Sequence, residues 1–201
     1  MTEVDVPATR LVRWLENFGS RHGEVALSVA SGALAGLASD GSTFVAHAPF
    51  DRTYDGTASV APFVDSCAPP DDWGVLLVRK GGFAVARLAG ETVVDSKVGQ
   101  RHVQGRTKAG GQSQQRFARR RDNQARMAYE AAAEHAARIL GGAPLIVTGG
   151  DHAAVEAVLA DRRLAGLRVV EPFLAVPDPR RSVLEQAILD AGNVRIRVVN
   201  A

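Results

Sequence analysis

Three strand-like segments are followed, after a loop, by one long helical pattern, and this succession constrains the fold more than any other feature of the chain. Residues 73–79, 83–88 and 92–97 are rich in apolar and β-branched residues, and glycine-containing turns separate them. Tight turns between such segments are typical of an antiparallel meander. From about residue 115 to residue 140, alanine and other apolar residues recur at helical spacing, which predicts a single long helix. The pattern therefore indicates a sheet with a helix packed on it.

The segments on either side of this core alternate between helix and strand patterns. Before it we expect a helix over 8–18, strands near 25–31 and 44–47, and a short helix near 60–67. After it the predicted order is strand, helix, strand, helix, strand, at 145–148, 152–160, 167–170, 179–191 and 194–198. The 201 residues contain no internal repeat and no linker that demands a second domain. We therefore predict that residues 1–201 form an α/β fold, a single layered domain with a mixed sheet and flanking helices.

Positive charge is concentrated in one segment. The formal net charge is only +2, yet residues 97–126 carry nine Lys or Arg side chains against the single acid Asp122. A charge run usually forms only a solvated face, but clustering in a near-neutral protein favours a surface for a phosphate backbone. The cations predicted to contact RNA are Arg106, Lys108, Arg116, Arg119, Arg120 and Arg121.

Residues 98–115 interrupt the strand and helix patterns and are predicted to form a functional loop. They lack apolar periodicity and contain four glycines, and loops of this length in compact domains are usually functional or disordered. The tip of this loop reads Gly110-Gly111-Gln112-Ser113-Gln114. Glycine permits backbone angles and close approaches that other residues do not. A flexible surface turn without function is the alternative interpretation.

Motifs of conventional catalysis are missing from the sequence. The five histidines show no metal-ligand spacing, Cys67 is the one cysteine, and no nucleophile motif occurs. We expect no metal and no cofactor. The segment Thr148-Gly149-Gly150-Asp151-His152 looks like a phosphate-binding turn, but a strand-to-helix turn with Asp151 as N-cap explains it better. A tip without acid or base residues would act by positioning water and donating backbone N–H groups.

Targeting and membrane signals are also missing. The first residues do not read as a signal peptide, and no run approaches the roughly 20 apolar residues of a membrane helix. We expect a cytoplasmic protein with no membrane partner.

The glycine-rich tip resembles that of peptide chain release factors. Gly110-Gly111-Gln112 reproduces their GGQ tip, and a long helix follows it, as in the catalytic middle domain of eukaryotic and archaeal class-one factors. The wider string over residues 105–124 is more similar to the VLRF (Vms-like release factor) family, and to its bacterial, chiefly actinobacterial, branch. The resemblance implies an RNase H-like release-factor catalytic domain, with a catalytic loop at 98–115 and a long basic helix at 115–140.

The resemblance also implies an activity. Members of the family act in ribosome rescue as peptidyl-tRNA hydrolases, and their partners are the large ribosomal subunit and peptidyl-tRNA. A tip glutamine places water against the ester carbonyl, while Gly110 and Gly111 shape the tip. Eukaryotic members carry a Gly-Ser-Gln tip, so matching Ser113-Gln114 makes Gln114 catalytic, whereas matching Gly-Gly-Gln makes it Gln112. We favour Gln114 and keep Gln112 as the second candidate.

The sequence shows neither the docking parts of the eukaryotic members nor a stop-codon-reading domain. No zinc finger, ankyrin region or coiled coil is visible, and the pattern indicates no particular protein partner. Rescue is therefore favoured over ordinary termination. Two other functions stay open: an endonuclease that removes the tRNA 3′ end, and a non-enzymatic factor that only binds the ribosome.

Overall fold

The computed structural model describes residues 1–100 and 112–201, and for residue 100 and residues 112–125 it describes the backbone only. Within those residues the chain forms ten strands and five α-helices, with 3₁₀ turns at Ala8–Arg10 and Arg162–Leu164. In chain order the elements are β1 (Thr2–Pro7), α1 (Leu11–His22), β2 (Val25–Ala30), β3 (Ala33–Ala38), β4 (Thr43–His47), α2 (Val60–Ser66), β5 (Trp73–Arg79), β6 (Gly82–Ala89), β7 (Thr92–Gln100), α3 (Gln112–Leu140), β8 (Leu145–Gly150), α4 (His152–Leu159), β9 (Arg168–Leu174), α5 (Arg181–Ala191) and β10 (Asn193–Val199).

The chain divides into two compact units. The first consists of Met1–Pro69 together with Ile188–Ala201, and the second of Pro70–Ala187. The boundary between them falls inside α5. The predicted α/β class is confirmed, and the single release-factor-like domain expected over residues 1–201 stays a prediction.

The second unit contains the predicted mixed sheet. Its strand order is β7-β6-β5-β8-β9. The meander β5, β6 and β7 is antiparallel, while β8 pairs in parallel with both β5 and β9. Parallel neighbours require crossover connections, which are usually helical. α3 makes the crossover that brings the chain from β7 to β8, and α4 makes the one from β8 to β9.

Small residues let α3 lie close to this sheet. Ala132 and Ala136 are fully buried, and Ile139 and Leu140 continue the same stripe one turn later. These positions recur every three or four residues, as the sequence predicted. The other buried members of the same core are Leu76, Val78, Phe83, Val85, Ala133, Ile146, Ala154, Val155, Val158 and Leu164.

The first unit is built on a five-stranded antiparallel sheet in the order β1-β10-β4-β3-β2. An aromatic cluster joins α1 to this sheet. Trp14 stacks on Phe18 with ring centroids 5.5 Å apart, and both rings meet Phe44 of β4 edge-on at 5.4 and 5.2 Å. Edge-to-face pairs of this kind add to the stabilisation that burial of the rings supplies.

Two strands of this unit, β1 and β3, are not predicted by the sequence. β3 consists of alanine, leucine and glycine, which are not residues of high strand propensity. Gly36 is required there because a Cβ would lie 2.1 Å from Cε1 of Phe44. The last strand, β10, pairs with β1 and β4 of the first unit, so it does not extend the sheet that contains β8 and β9.

Candidate functional site

The predicted catalytic loop is shorter than residues 98–115. β7 continues through Gly99 to Gln100, and α3 already begins at Gln112. Gly99 lies opposite Phe83 in the strand pair, and a Cβ at this position would lie 2.3 Å from Cε1 of that ring. The glycine therefore marks a close approach within a strand, although its composition alone predicts a loop. α3 begins before the predicted start at about residue 115, because glutamine is a good helix former despite its polarity.

The predicted site residues fall into two groups. Arg106, Lys108, Gly110 and Gly111 lie outside the described residues. Gln112, Ser113 and Gln114 are the first three residues of α3, and the arginines at 116, 119, 120 and 121 follow within its first three turns. The backbone therefore places both candidate glutamines and four of the proposed RNA-contacting cations on one continuous helix of 29 residues.

The C-terminal half of α3 anchors this helix. Ala132, Ala136 and Leu140 are fully buried in the core of the second unit. Near the end of the helix, Arg138 donates a 2.7 Å hydrogen bond to the carboxylate of Asp95 on β7. The predicted site residues from position 112 to position 121 thus belong to a helix whose other end is fixed to the sheet.

The strand-to-helix turn after β8 has the structural role that the sequence predicted. Asp151 is the N-cap of α4, and its side chain accepts a 3.3 Å hydrogen bond from the amide of Ala154. Gly150 has φ +104°, and a Cβ there would lie 2.3 Å from the carbonyl oxygen of Val78. Glycine is therefore needed at this turn for backbone geometry.

Reactive and metal-binding groups are few in the described ranges. No cluster of three His, Cys, Asp or Glu side chains within residues 1–100 and 112–201 could hold a metal ion. Burial raises the pKa of the Cys67 thiol to about 11, which keeps it protonated and unreactive near neutral pH. No helix among the described residues is long and apolar enough to cross a membrane.

The class of the protein follows from comparison with known families. Residues 71–197 match a protein-family model of release factors, and this match covers more than half of the chain. The chain belongs to the acVLRF1 family, the Actinobacteria/chloroflexi VLRF1 release factors. The resemblance stated from the tip sequence is confirmed, and the family assigns the chain a ribosome-associated role in release or rescue during translation.

Similar solved structures share little sequence with the chain. The Vms1 mitochondrial localization core has a TM-score of 0.45 and 11% identity, over 96% of this chain and 82% of that one. An archaeal translation termination factor, aRF1, has a TM-score of 0.38 and 12% identity, over 94% and 63% of the two chains. Pelota from Archaeoglobus fulgidus has a TM-score of 0.29 and 12% identity, over 94% and 62%. The chain thus spans less than two thirds of the last two proteins. A comparison with curated protein sequences finds no match.

Proposed function

We propose that the chain is a peptidyl-tRNA hydrolase, a carboxylic ester hydrolase that frees nascent chains from peptidyl-tRNA on stalled large ribosomal subunits. The observation that carries this proposal is the match to a release-factor family over residues 71–197, a range that includes the whole glycine-glutamine tip and the basic helix. In this sequence Gly110-Gly111 stands directly before Gln112, the first residue of α3.

The proposed chemistry uses water as the nucleophile. The tip glutamine holds a water molecule against the ester carbonyl, the water oxygen attacks the carbonyl carbon, and the bond to the ribose oxygen breaks. The ribose hydroxyl leaves with a proton, and the peptide leaves with a new carboxyl group. The first N–H groups of a helix have no intrahelical partner, so those at the start of α3 are available to stabilise negative charge on the carbonyl oxygen.

The length of α3 supports a role in reaching a recessed RNA site. A helix of 29 residues is about 43 Å long. Arg121 lies eleven residues before Ala132, the first fully buried residue among the described side chains of α3, which is about 16 Å along the helix axis. Cations at such a distance from the core are suited to phosphate contacts.

The backbone separates the two candidate glutamines. Positions 112 and 114 are two residues apart on the helix, which places them about 200° apart around its axis. One ester carbonyl therefore fits only one of the two positions. We propose Gln114 as the catalytic glutamine, and Gln112 as the alternative.

Single substitutions would show which of the two glutamines is catalytic. Purified large subunits that carry peptidyl-tRNA would be incubated with the wild-type protein, Gln114→Ala, Gln112→Ala and the control Gln115→Ala, and released peptide would be measured over time. We expect Gln114→Ala to slow release by about 10²–10³-fold, the usual effect of removing one group that acts in the transition state. Gln115→Ala should release normally, and all variants should bind the subunits equally.

The RNA product distinguishes hydrolysis from the two alternative functions. Hydrolysis leaves a tRNA with an intact CCA end. A shortened tRNA would identify a nuclease, and binding without any release by the wild-type protein would identify a non-enzymatic factor. Either of these results would overturn the proposal.

A further inference from the structure

The edges of the two sheets differ in how well they are protected from pairing with another chain. The edge strands are β1 and β2 in the first unit and β7 and β9 in the second. Natural edge strands usually carry charged residues or proline, which discourage further pairing. Three of these four do: β1 reads TEVDVP, β7 reads TVVDSKVGQ and β9 reads RVVEPFL, whereas β2 reads VALSVA and contains neither. β2 is therefore the edge that is open to an added strand.

Every second residue of β2 directs its backbone groups away from the sheet. β2 pairs with β3 through the turn Ser31-Gly32, and in the same ladder the amide of Ser39 donates a 2.9 Å hydrogen bond to the carbonyl oxygen of Glu24. Hydrogen-bonded pairs alternate along antiparallel strands, so the even-numbered residues of β2 bond to β3. The N–H and C=O groups of residues 25, 27 and 29 face outward, and none of them bonds to the backbone of the residues that the structure describes.

The side chains of β2 would extend the core of the first unit into an added strand. Val25, Leu27 and Val29 are half-buried against that core. The side chains between them, at positions 26, 28 and 30, are small and exposed, and they lie on the opposite face of the sheet. The best-fitting partner is an antiparallel strand with apolar residues on the first face and small residues on the second.

A second copy of β2 has this pattern. When two copies pair about a two-fold axis through Leu27, the two Leu27 residues lie opposite each other and Val25 lies opposite Val29. These residues then form hydrogen-bonded pairs, because their backbone groups are the outward ones. On the other face Ala26 lies opposite Ser28. A slip by one residue would turn the apolar side chains of one copy to the wrong face, so the alternation specifies the register.

Charge also favours a second copy as the partner. Identical strands often bring like charges together when they pair, which is destabilising, but β2 has no charged side chain. The adjacent acid, Glu24, would lie opposite Ala30 of the second copy. The two Glu24 carboxylates would then be about 20 Å apart along the strands, beyond the distance at which exposed charges interact in physiological salt. The edge offers no charge with which to select a charged foreign peptide.

We propose that two copies of the chain associate through β2, on a two-fold axis at Leu27, and join their five-stranded sheets into one continuous sheet. Such a two-fold interface is the commonest arrangement in homodimers. A single pair of strands buries little area, so the dimer forms reversibly and depends on protein concentration. β2 lies outside residues 71–197, the range that matches the release-factor family, so the inference does not rest on the proposed ester hydrolysis.

Sedimentation equilibrium of the free protein at increasing concentration measures the association. The average mass should rise from 21.3 kDa toward twice that value. Hydrogen exchange followed by NMR identifies the strand that pairs. The amides of Val25, Leu27 and Val29 should become protected at the concentrations at which the mass rises, because the second copy then accepts their hydrogen bonds.

Two double variants test the register on the exposed face of β2, away from the core. Ala26→Lys/Ser28→Lys places like charges directly opposite each other on both sides of the axis and should weaken the dimer by about 10-fold or more. The matched control Ala26→Lys/Ser28→Glu places a cation opposite an acid and should dimerise at least as tightly as the wild-type protein. Salt at about 1 M should reduce the difference between the two variants.

A wild-type protein that stays monomeric at about 1 mM, where even weak association is visible, would overturn the inference. A dimer in which the three amides still exchange rapidly would also overturn it, because another surface would then join the copies. Equal weakening by both double variants would rule out the axis at Leu27, since in a register shifted by two residues position 28 faces itself. Peptide release enters none of these measurements, so the proposed hydrolysis and the proposed dimer can fail separately.

Discussion

Arg138 on α3 and Asp95 on β7 form an ion pair, with 2.7 Å between the guanidinium Nη1 and the carboxylate Oδ2. The next residue on the strand, Ser96, points to the opposite face of the sheet and accepts a 3.0 Å hydrogen bond from Arg181 of α5. β7 is the edge strand that leads toward the proposed catalytic tip. Side chains from two helices therefore hold it from both faces.

The Arg138–Asp95 pair should contribute modestly to stability. Its side chains are 57% and 43% exposed, and exposed pairs typically contribute about 0.2–1 kcal/mol. We expect a double-mutant cycle with Arg138→Ala and Asp95→Ala to give a coupling free energy in that range, and we expect it to fall in 1 M salt. The Arg126–Glu130 pair, at 3.7 Å and more exposed, is the matched comparison and should couple less. A coupling above about 2 kcal/mol in urea unfolding would show that the pair is not screened as its exposure implies.

Three glycine-to-alanine substitutions should differ in a predictable order. Gly150→Ala should destabilise the protein by more than about 2 kcal/mol, because φ is +104° and the new Cβ would lie 2.3 Å from the Val78 carbonyl oxygen. Gly142→Ala, with φ +85° and open space, should cost only the backbone strain of about 1–2 kcal/mol. Gly166→Ala has neither a positive φ nor a close neighbour and should be neutral or stabilising by up to about 1 kcal/mol. Thermal unfolding of the three variants checks the order, and equal losses would contradict this geometry.

His47 should make stability depend on pH. Burial, followed by the charges of Arg197 and Arg195, lowers its pKa below the ordinary value of 6.5. Above about pH 6.5 the imidazole is neutral in the folded and unfolded chains, and its contribution is complete. As the pH falls below about 6.5, the unfolded chain binds the proton before the folded chain does. Stability is therefore lost until the pH has fallen through the depressed pKa of the folded chain. Replacing it in His47→Gln should flatten this part of the stability profile. An NMR titration that gave His47 a pKa above 6.5 would refute the prediction.

The sequence predicted the second unit well because its signals are local. Turns at residues 80–81 and 90–91 separate three strands that follow one another in space as in sequence. The stripe formed by Ala132, Ala136 and Ile139 is also a local signal, because helical periodicity in the sequence is enough to reveal it.

The first unit was harder to predict because its pairings are distant. β1 pairs with β10, so that Glu3 lies opposite Arg197, and no local pattern reveals a partner almost two hundred residues away. β3 needs a glycine at position 36, although a glycine in the sequence indicates a turn. The reason is visible only in the structure, where the Phe44 ring occupies the space that a Cβ would take.

Part of the candidate site was accessible from sequence and part was not. The basic run and the glycine-glutamine tip are contiguous, so composition alone indicates them. The close approach of Gly99 to the Phe83 ring depends on the pairing of β6 with β7, and its local signal is an isolated glycine in a strand pattern.

Peptide release from stalled large subunits by the double variant Gln112→Ala/Gln114→Ala tests the central claim most directly. The wild-type protein should release the peptide and leave the CCA end of the tRNA intact. The double variant should still bind the subunits but release peptide at least about 10²-fold more slowly, while the control Gln115→Ala releases normally. Release by the double variant at the wild-type rate would contradict the account, because neither tip glutamine would then position the attacking water.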